Sequence, residues 1–338
     1  MRSKGYSGYH GRKKKQKKLL AVVLVLVVLL AAAFLLVQDY LVYDSNGKMR
    51  LDLPFFEKET QEQEVPLNND EVTIDILTPE DVEDPRLPVK ELHGRMMAAR
   101  VLERDVEKTV AATLEDDIVI EVKRVNGFIT YHSAAAIPEE VDVARGETME
   151  NFKAVLEGEK YVVARMSTLC DSYFVRAYRE AALGRENGGY WYDGDNRTWL
   201  DPAHPQTLVY ITSLCQELTE MGVDELMLDY FSYPTSGNLA AIYGLADVDR
   251  AAVLADFVAA LRANLPEGTV LGIVLRNDLS VEDGVDAALI TNGFDRVYLA
   301  PGVDAAAVKE ALGSGYGAER YVILAEKAPE TGGYLIGY

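Results

Sequence analysis

Three patterns of apolar and polar positions follow one another along this chain. Leu19 to Val37 is a run of nineteen apolar residues without a charge or a glycine. Residues 38–89 scatter their apolar positions among Glu, Asp, Asn and Pro, too thinly to bury a core. From about residue 90 onward, short apolar runs alternate with stretches whose apolar positions recur at helical spacing. Such alternation predicts a parallel sheet with helices packed outside it.

The strand pattern falls near Arg95–Val101, Ile118–Val122, Tyr161–Arg165, Glu225–Asp229, Val270–Leu275, Arg296–Leu299 and Tyr321–Ala325, with a short eighth at Tyr334–Gly337. Helical spacing falls at Glu103–Leu114, Thr148–Leu156, Pro205–Met221, Val248–Asn264, Val281–Ile290 and Ala305–Leu312. Gly222 follows Met221 as the left-handed residue that ends a helix. Ser280, three before Asp283, reads as the start of the Val281 helix. Residues 90–338 have the size of a TIM-type (β/α)8 barrel, its last unit short, behind an apolar span and an acidic linker. An open doubly wound sheet is the runner-up. No Gly-rich phosphate loop follows the first strand, which counts against a dinucleotide fold. Asn126-Gly127, between apolar runs, signals a hairpin beyond the second strand.

Charge changes the picture at the N-terminus. Eight of the 34 basic residues lie in the first eighteen, with no acid among them, against 54 acidic residues in the whole chain. The remainder therefore carries a net charge of −28, which would repel nucleic-acid phosphates. Nineteen apolar residues at about 1.5 Å each come close to spanning a hydrocarbon core of about 30 Å. Residues 1–18 thus read as a cytoplasmic basic tail, 19–37 as a single-pass membrane anchor, 38–89 as a flexible acidic stalk, and 90–338 as an extracellular domain. A cleaved signal peptide is the rival, but the run outlasts the usual signal core.

Candidate chemistry gathers at strand ends. Asp229 ends the apolar run Leu226–Leu228, at the end of a parallel strand where ligands bind. A longer insertion, Ser167 to Ala203, holds both tryptophans, Trp191 and Trp199, with Tyr190, Tyr192, Asp193, Asp195 and Asp201 among them. Aromatic faces can stack on sugar rings while carboxylates accept hydroxyl hydrogen bonds; a loop folding on its own aromatic residues reads equally well. Cys215 lies on the apolar face of its helix, Cys170 follows the third strand, and the sequence leaves open whether they pair. His93, His132 and His204 lack metal-ligand spacing, and nothing in the sequence calls for a cofactor.

Four stretches, taken together, resemble the bacterial "putative glycosyl hydrolase" domain family, a TIM-barrel family often found on anchored cell-envelope proteins. They are Val119-Ile-Glu-Val-Lys123 with Gly127 and Tyr131; Ala164-Arg165 with Asp171; Trp199-Leu-Asp201-Pro202; and Asp224-Glu225 through Asp229-Tyr230 to Pro234. The resemblance covers roughly residues 92–300 and implies that Glu121, Arg165, Asp171, Trp199, Asp201 and Tyr230 contact substrate. Glu121 stands where the family has Asp, and Ser232 where it has Arg. Tyr298-Leu-Ala-Pro301 replaces a polar, aromatic-rich segment with a His. Glycoside hydrolysis needs two carboxyl groups across the scissile bond. Asp229 is the first, as nucleophile or base; the second is open among Glu326, best placed at the end of the seventh strand, and Asp278, Glu121 and Asp201. Two functions fit: an anchored glycoside hydrolase acting on an envelope polysaccharide, or a sugar-binding or scaffolding barrel that has lost its chemistry.

Overall fold

The computed structural model describes residues 41–43, 49–51, 87–97, 106–133, 135 and 149–337. The basic tail and the apolar run Leu19–Val37 lie outside them. Among the described residues no helix is long and apolar enough to cross a membrane. The chain divides into two units, residues 1–76 and 77–338. In the first, strands β1 (Leu41–Tyr43) and β2 (Met49–Leu51) pair antiparallel, Leu41 opposite Leu51. The sequence reading placed no strand there. Asn46-Gly47 lies between the two strands in sequence, a dipeptide that signals a turn.

The second unit is a closed ring of eight parallel strands: β3 (His93–Met97), β4 (Asp117–Lys123), β5 (Tyr161–Ser167), β6 (Glu225–Asp229), β7 (Val270–Leu275), β8 (Arg296–Leu299), β9 (Tyr321–Ala325) and β10 (Gly333–Ile336). Helices α1 (Val106–Ala111), α2 (Met149–Leu156), α3 (Phe174–Ala177), α4 (Pro205–Met221), α5 (Arg250–Ala263), α6 (Ala287–Gly293) and α7 (Ala305–Leu312) run between strands. β9 and β10 are parallel neighbours joined by only Glu326 to Gly332, without a helix, so the last unit is indeed short. Tyr334 then pairs with both Ile323 and His93, which closes the ring.

Local sequence explains most boundaries. Pro205 starts α4, the His204 ring accepts the Gln206 amide, and Gly222 at φ 96° ends it. α6 differs from expectation, beginning at Ala287 and not Val281. Asp286 caps it by accepting the Leu289 amide at 2.7 Å, while Ser280 pairs with Val285 and Gly284 turns at φ 80°. The Asn126-Gly127 turn forms as its sequence predicts, with Lys123 bridged to Ile129.

Side chains inside the ring form three levels. Val119, Val163, Met227, Val274 and Tyr298 fill the middle. Below them, at the strand starts, Glu225 and Arg296 are fully buried and paired at 3.0 Å. Tyr298 and Tyr161 donate to the same carboxylate at 2.6 and 3.1 Å. Burial pushes the Glu225 carboxyl up, and Arg296 and the two hydroxyls pull it back. Arg296 also donates to the backbone oxygens of Glu319 and Lys90, tying the entry to β3 onto β8. Gly272 makes room for this floor. A Cβ there would lie 2.5 Å from Tyr298 Cε2 and 2.8 Å from Glu225 Oε1. Gly272→Ala is therefore expected to cost about 1–3 kcal/mol, lowering Tm by roughly 2–4 °C per kcal/mol. Gly184→Ala, where a Cβ meets nothing nearer than 3.6 Å, should change Tm far less in the same thermal melts.

Candidate active site at the barrel mouth

The ligand end of the barrel is built by residues that close their strands. In register, Glu121 on β4 lies beside Arg165 on β5, and Ser167 on β5 beside Asp229 on β6. Arg276 follows directly on β7. Because alternate strand residues point inward, these side chains crown the apolar middle level.

Asp229 is fully buried. Its Oδ1 accepts from Arg276 Nε at 2.7 Å and from the Tyr230 amide at 2.8 Å. Its Oδ2 accepts from Arg276 Nη2 at 2.7 Å, from Arg165 Nε at 2.9 Å and from Arg165 Nη2. A carboxylate has about four lone-pair sites, so these donors fill it. Arg165 Nη1 donates to Glu121 Oε1 at 2.6 Å, so one guanidinium stands between the two acids. Glu121 stays partly open to solvent, its side chain 23% exposed, with Arg124 4.0 Å away.

Tyr230 follows Asp229 in a left-handed conformation, φ 54°, rare for a bulky residue. Arg276 stacks 4.1 Å from its ring centroid, Arg197 lies 5.7 Å from it, and Trp199 meets it edge-on at 5.9 Å. The family's Arg is absent at Ser232, yet a forked donor reaches Asp229 from Arg276, which the sequence reading did not single out. Its signal was available: it is the first polar residue after an apolar strand, as Asp229 is the last residue of its own.

Several other candidates sit elsewhere. Trp191 is fully buried with its indole N–H on the Asn238 oxygen, and Trp199 is 5% exposed with its N–H on Asp193. Neither presents a face to a ligand; the loop's aromatic weight goes into its own core. Asp171 is buried too. It holds the buried Lys123 ammonium at 2.9 Å and accepts the Tyr173 and Phe174 amides and the Tyr210 hydroxyl. Gly127 packs so close that a Cβ would fall 2.0 Å from the Asp171 carboxylate. Asp201 accepts the Ala203 amide at the approach to α4, and Asp278 accepts the Asp304 amide. Glu326 is exposed immediately after β9, three strands around the ring from β6. Cys170 and Cys215 are both free and buried, and burial pushes each thiol up to about 12. Asp283, in the loop after β7, is a buried acid that the sequence did not mark for chemistry. Burial pushes its carboxyl up to about 6. Among the described residues no cluster of His, Cys, Asp and Glu is arranged to hold a metal ion.

Removing charge from a buried, fully paired acid leaves its cations uncompensated, at about 3–5 kcal/mol. Asp229→Asn should accordingly lower Tm by roughly 6–20 °C. An unchanged melting curve would show that the two arginines do not depend on that charge.

No curated protein matches the chain. Among solved structures it is similar to a hypothetical protein from Ruminiclostridium thermocellum, at 23% identity and TM-score 0.45, over 53% of this chain and 96% of that one. A chitobiase from Flavobacterium johnsoniae gives 12% identity and TM-score 0.46, over 70% of this chain but only 38% of that one. The glycoside hydrolase domain of PelA from Pseudomonas aeruginosa gives 14% and 0.41, over 69% and 83%. Residues 94–275, more than half of the 338, match the family described as "Putative glycosyl hydrolase domain". This barrel, with its acids and arginines at the mouth, belongs to that family.

Proposed function

We propose that this chain is a membrane-anchored glycoside hydrolase acting on a cell-envelope polysaccharide, held at the cell surface through Leu19–Val37 with the barrel outside. The observation that carries the reading is the polar crown of the barrel in a member of this family. Glu121 and Asp229 are joined there through Arg165 at the strand ends where such folds bind ligands. Asp229 is too fully engaged to attack a sugar while both arginines hold it. Its role in this reading is to fix Arg165 and, through it, Glu121. Glu121, partly open to solvent, and the exposed Glu326 then serve as the acid and base that hydrolysis requires. A second reading is a binding or scaffolding barrel without turnover. The filled lone pairs of Asp229 and the two buried tryptophans favour it.

The two readings separate in one assay. The full chain is incubated with peptidoglycan and with common α- and β-glucans, and released sugar ends and retained polymer are both measured. Hydrolysis predicts turnover that falls at least about 100-fold in Glu121→Gln and in Glu326→Gln. Glu326→Gln should keep the parent Tm, since the side chain is exposed. Retention without product in all three proteins would establish the binding barrel. Neither retention nor product would overturn both.

A further inference from the structure

Building on the carbohydrate reading above, we infer that the barrel mouth recognises a sugar carrying a carboxylate, such as a uronic acid unit, through the guanidinium groups of Arg276 and Arg197 around Tyr230. The acids and cations at this end are not mixed evenly. Asp229 is fully buried, whereas the side chains of Arg276 and Arg197 are 30% and 32% exposed. Two guanidinium groups thus flank the Tyr230 ring at the surface, one over the buried Asp229 carboxylate and the other beside the exposed Asp195.

Beyond its first eighteen residues the chain carries a net charge of −28, a field that repels anions. Arg276 and Arg197 set two partly exposed guanidinium groups against that field at the ligand end, where an anionic sugar would arrive.

Backbone strain points to the same place. Among the described residues, Asn196 at φ 62° and Tyr230 at φ 54° are the non-glycine residues in the left-handed region. One is the cluster's ring, and the other immediately precedes Arg197. Asn tolerates this region in turns, so the strain lies at Tyr230; strain of that kind persists where the surrounding structure enforces it and is common at ligand sites.

The contacts leave Arg197 able to change partner. Its Nη1 reaches the Tyr230 hydroxyl at 3.3 Å, and its Nη2 pairs with Asp195 at 2.8 Å. The Asp195 side chain is 65% exposed, and an exposed pair is worth little. An incoming carboxylate can therefore replace Asp195 at small cost. A planar fork matches a carboxylate in two parallel hydrogen bonds, which a lysine cannot reproduce.

The test is affinity electrophoresis of the full chain in gels containing polygalacturonate, its methyl-esterified neutral form, dextran sulfate or dextran. Polygalacturonate should retard the protein and the methyl ester should not. Arg197→Gln should weaken retardation at least tenfold with Tm unchanged, and Arg197→Lys should restore it only in part. Arg276→Gln also touches Asp229, so its retardation is compared only if it retains a cooperative melt; the surface variants carry the test in either case. Equal retardation by the methyl ester or by dextran would overturn the charge assignment and leave the carbohydrate reading standing. Retardation by dextran sulfate alone would exclude a carboxylate ligand, and unaltered retardation of Arg197→Gln would exclude this cluster. No retardation by any polymer, together with no retention on the glucan panel, would overturn both proposals.

Discussion

Two guanidinium groups grip one buried carboxylate at the mouth of the barrel, and the rest of the site follows from that grip. Asp229 is buried at the end of β6, where an unpaired charge would cost several kcal/mol. Arg165 and Arg276 reach it from the two neighbouring strands, so strand order alone places the cations. Arg165 then extends the network to Glu121, and Arg276 extends it to Tyr230. A second buried pair, Glu225 with Arg296, closes the opposite end of the ring. Between the two lies an apolar level of Val, Met and Tyr side chains. The barrel interior is thus a hydrophobic plug with a charged cluster at each end. The lower cluster knits strands together, and the upper one faces the loops.

The grip also shapes what chemistry is available. A nucleophilic carboxylate needs a lone pair free to meet an anomeric carbon, and Asp229 has none while both arginines are bound. Solvent reaches Glu121, in the Arg165 network, Asp278, after β7, and Glu326, at the start of the helix-free connection from β9 to β10. Family membership therefore does not carry over as a catalytic assignment. Glu121, where the resemblance expects Asp, is itself part of this network.

The ring itself was legible because its strands are buried on both faces. Continuous apolar runs such as Leu226–Leu228 and Val270–Leu275 have few other readings, and six of the eight strands fall within a residue of where periodicity puts them. The start of α6 was not legible, because Ser280 and Asp286 are both good caps. The choice was made by Gly284, which is packed against Arg250 in a conformation favouring glycine. The site was half legible. Asp229 announced itself by position, but its partners sit 64 and 47 residues away in sequence. The tryptophans misled for a physical reason: a loop of nearly forty residues needs a core of its own, and Trp191 and Trp199 supply it. Composition cannot separate a ring that packs from a ring that binds. Asp171 was misleading in the same way, since an acid that cages a buried lysine looks, in sequence, like one that meets a ligand.

The most direct test of the central claim is a double-mutant cycle between Asp229 and Arg276, read by chemical denaturation of Asp229→Asn, Arg276→Gln, the double variant and the parent. If the carboxylate is held by that guanidinium, the two changes are coupled by about 1–3 kcal/mol, and the double variant loses less stability than the single losses add up to. Additive losses, with coupling indistinguishable from zero, would contradict the account and return Asp229 to the pool of carboxylates free to react.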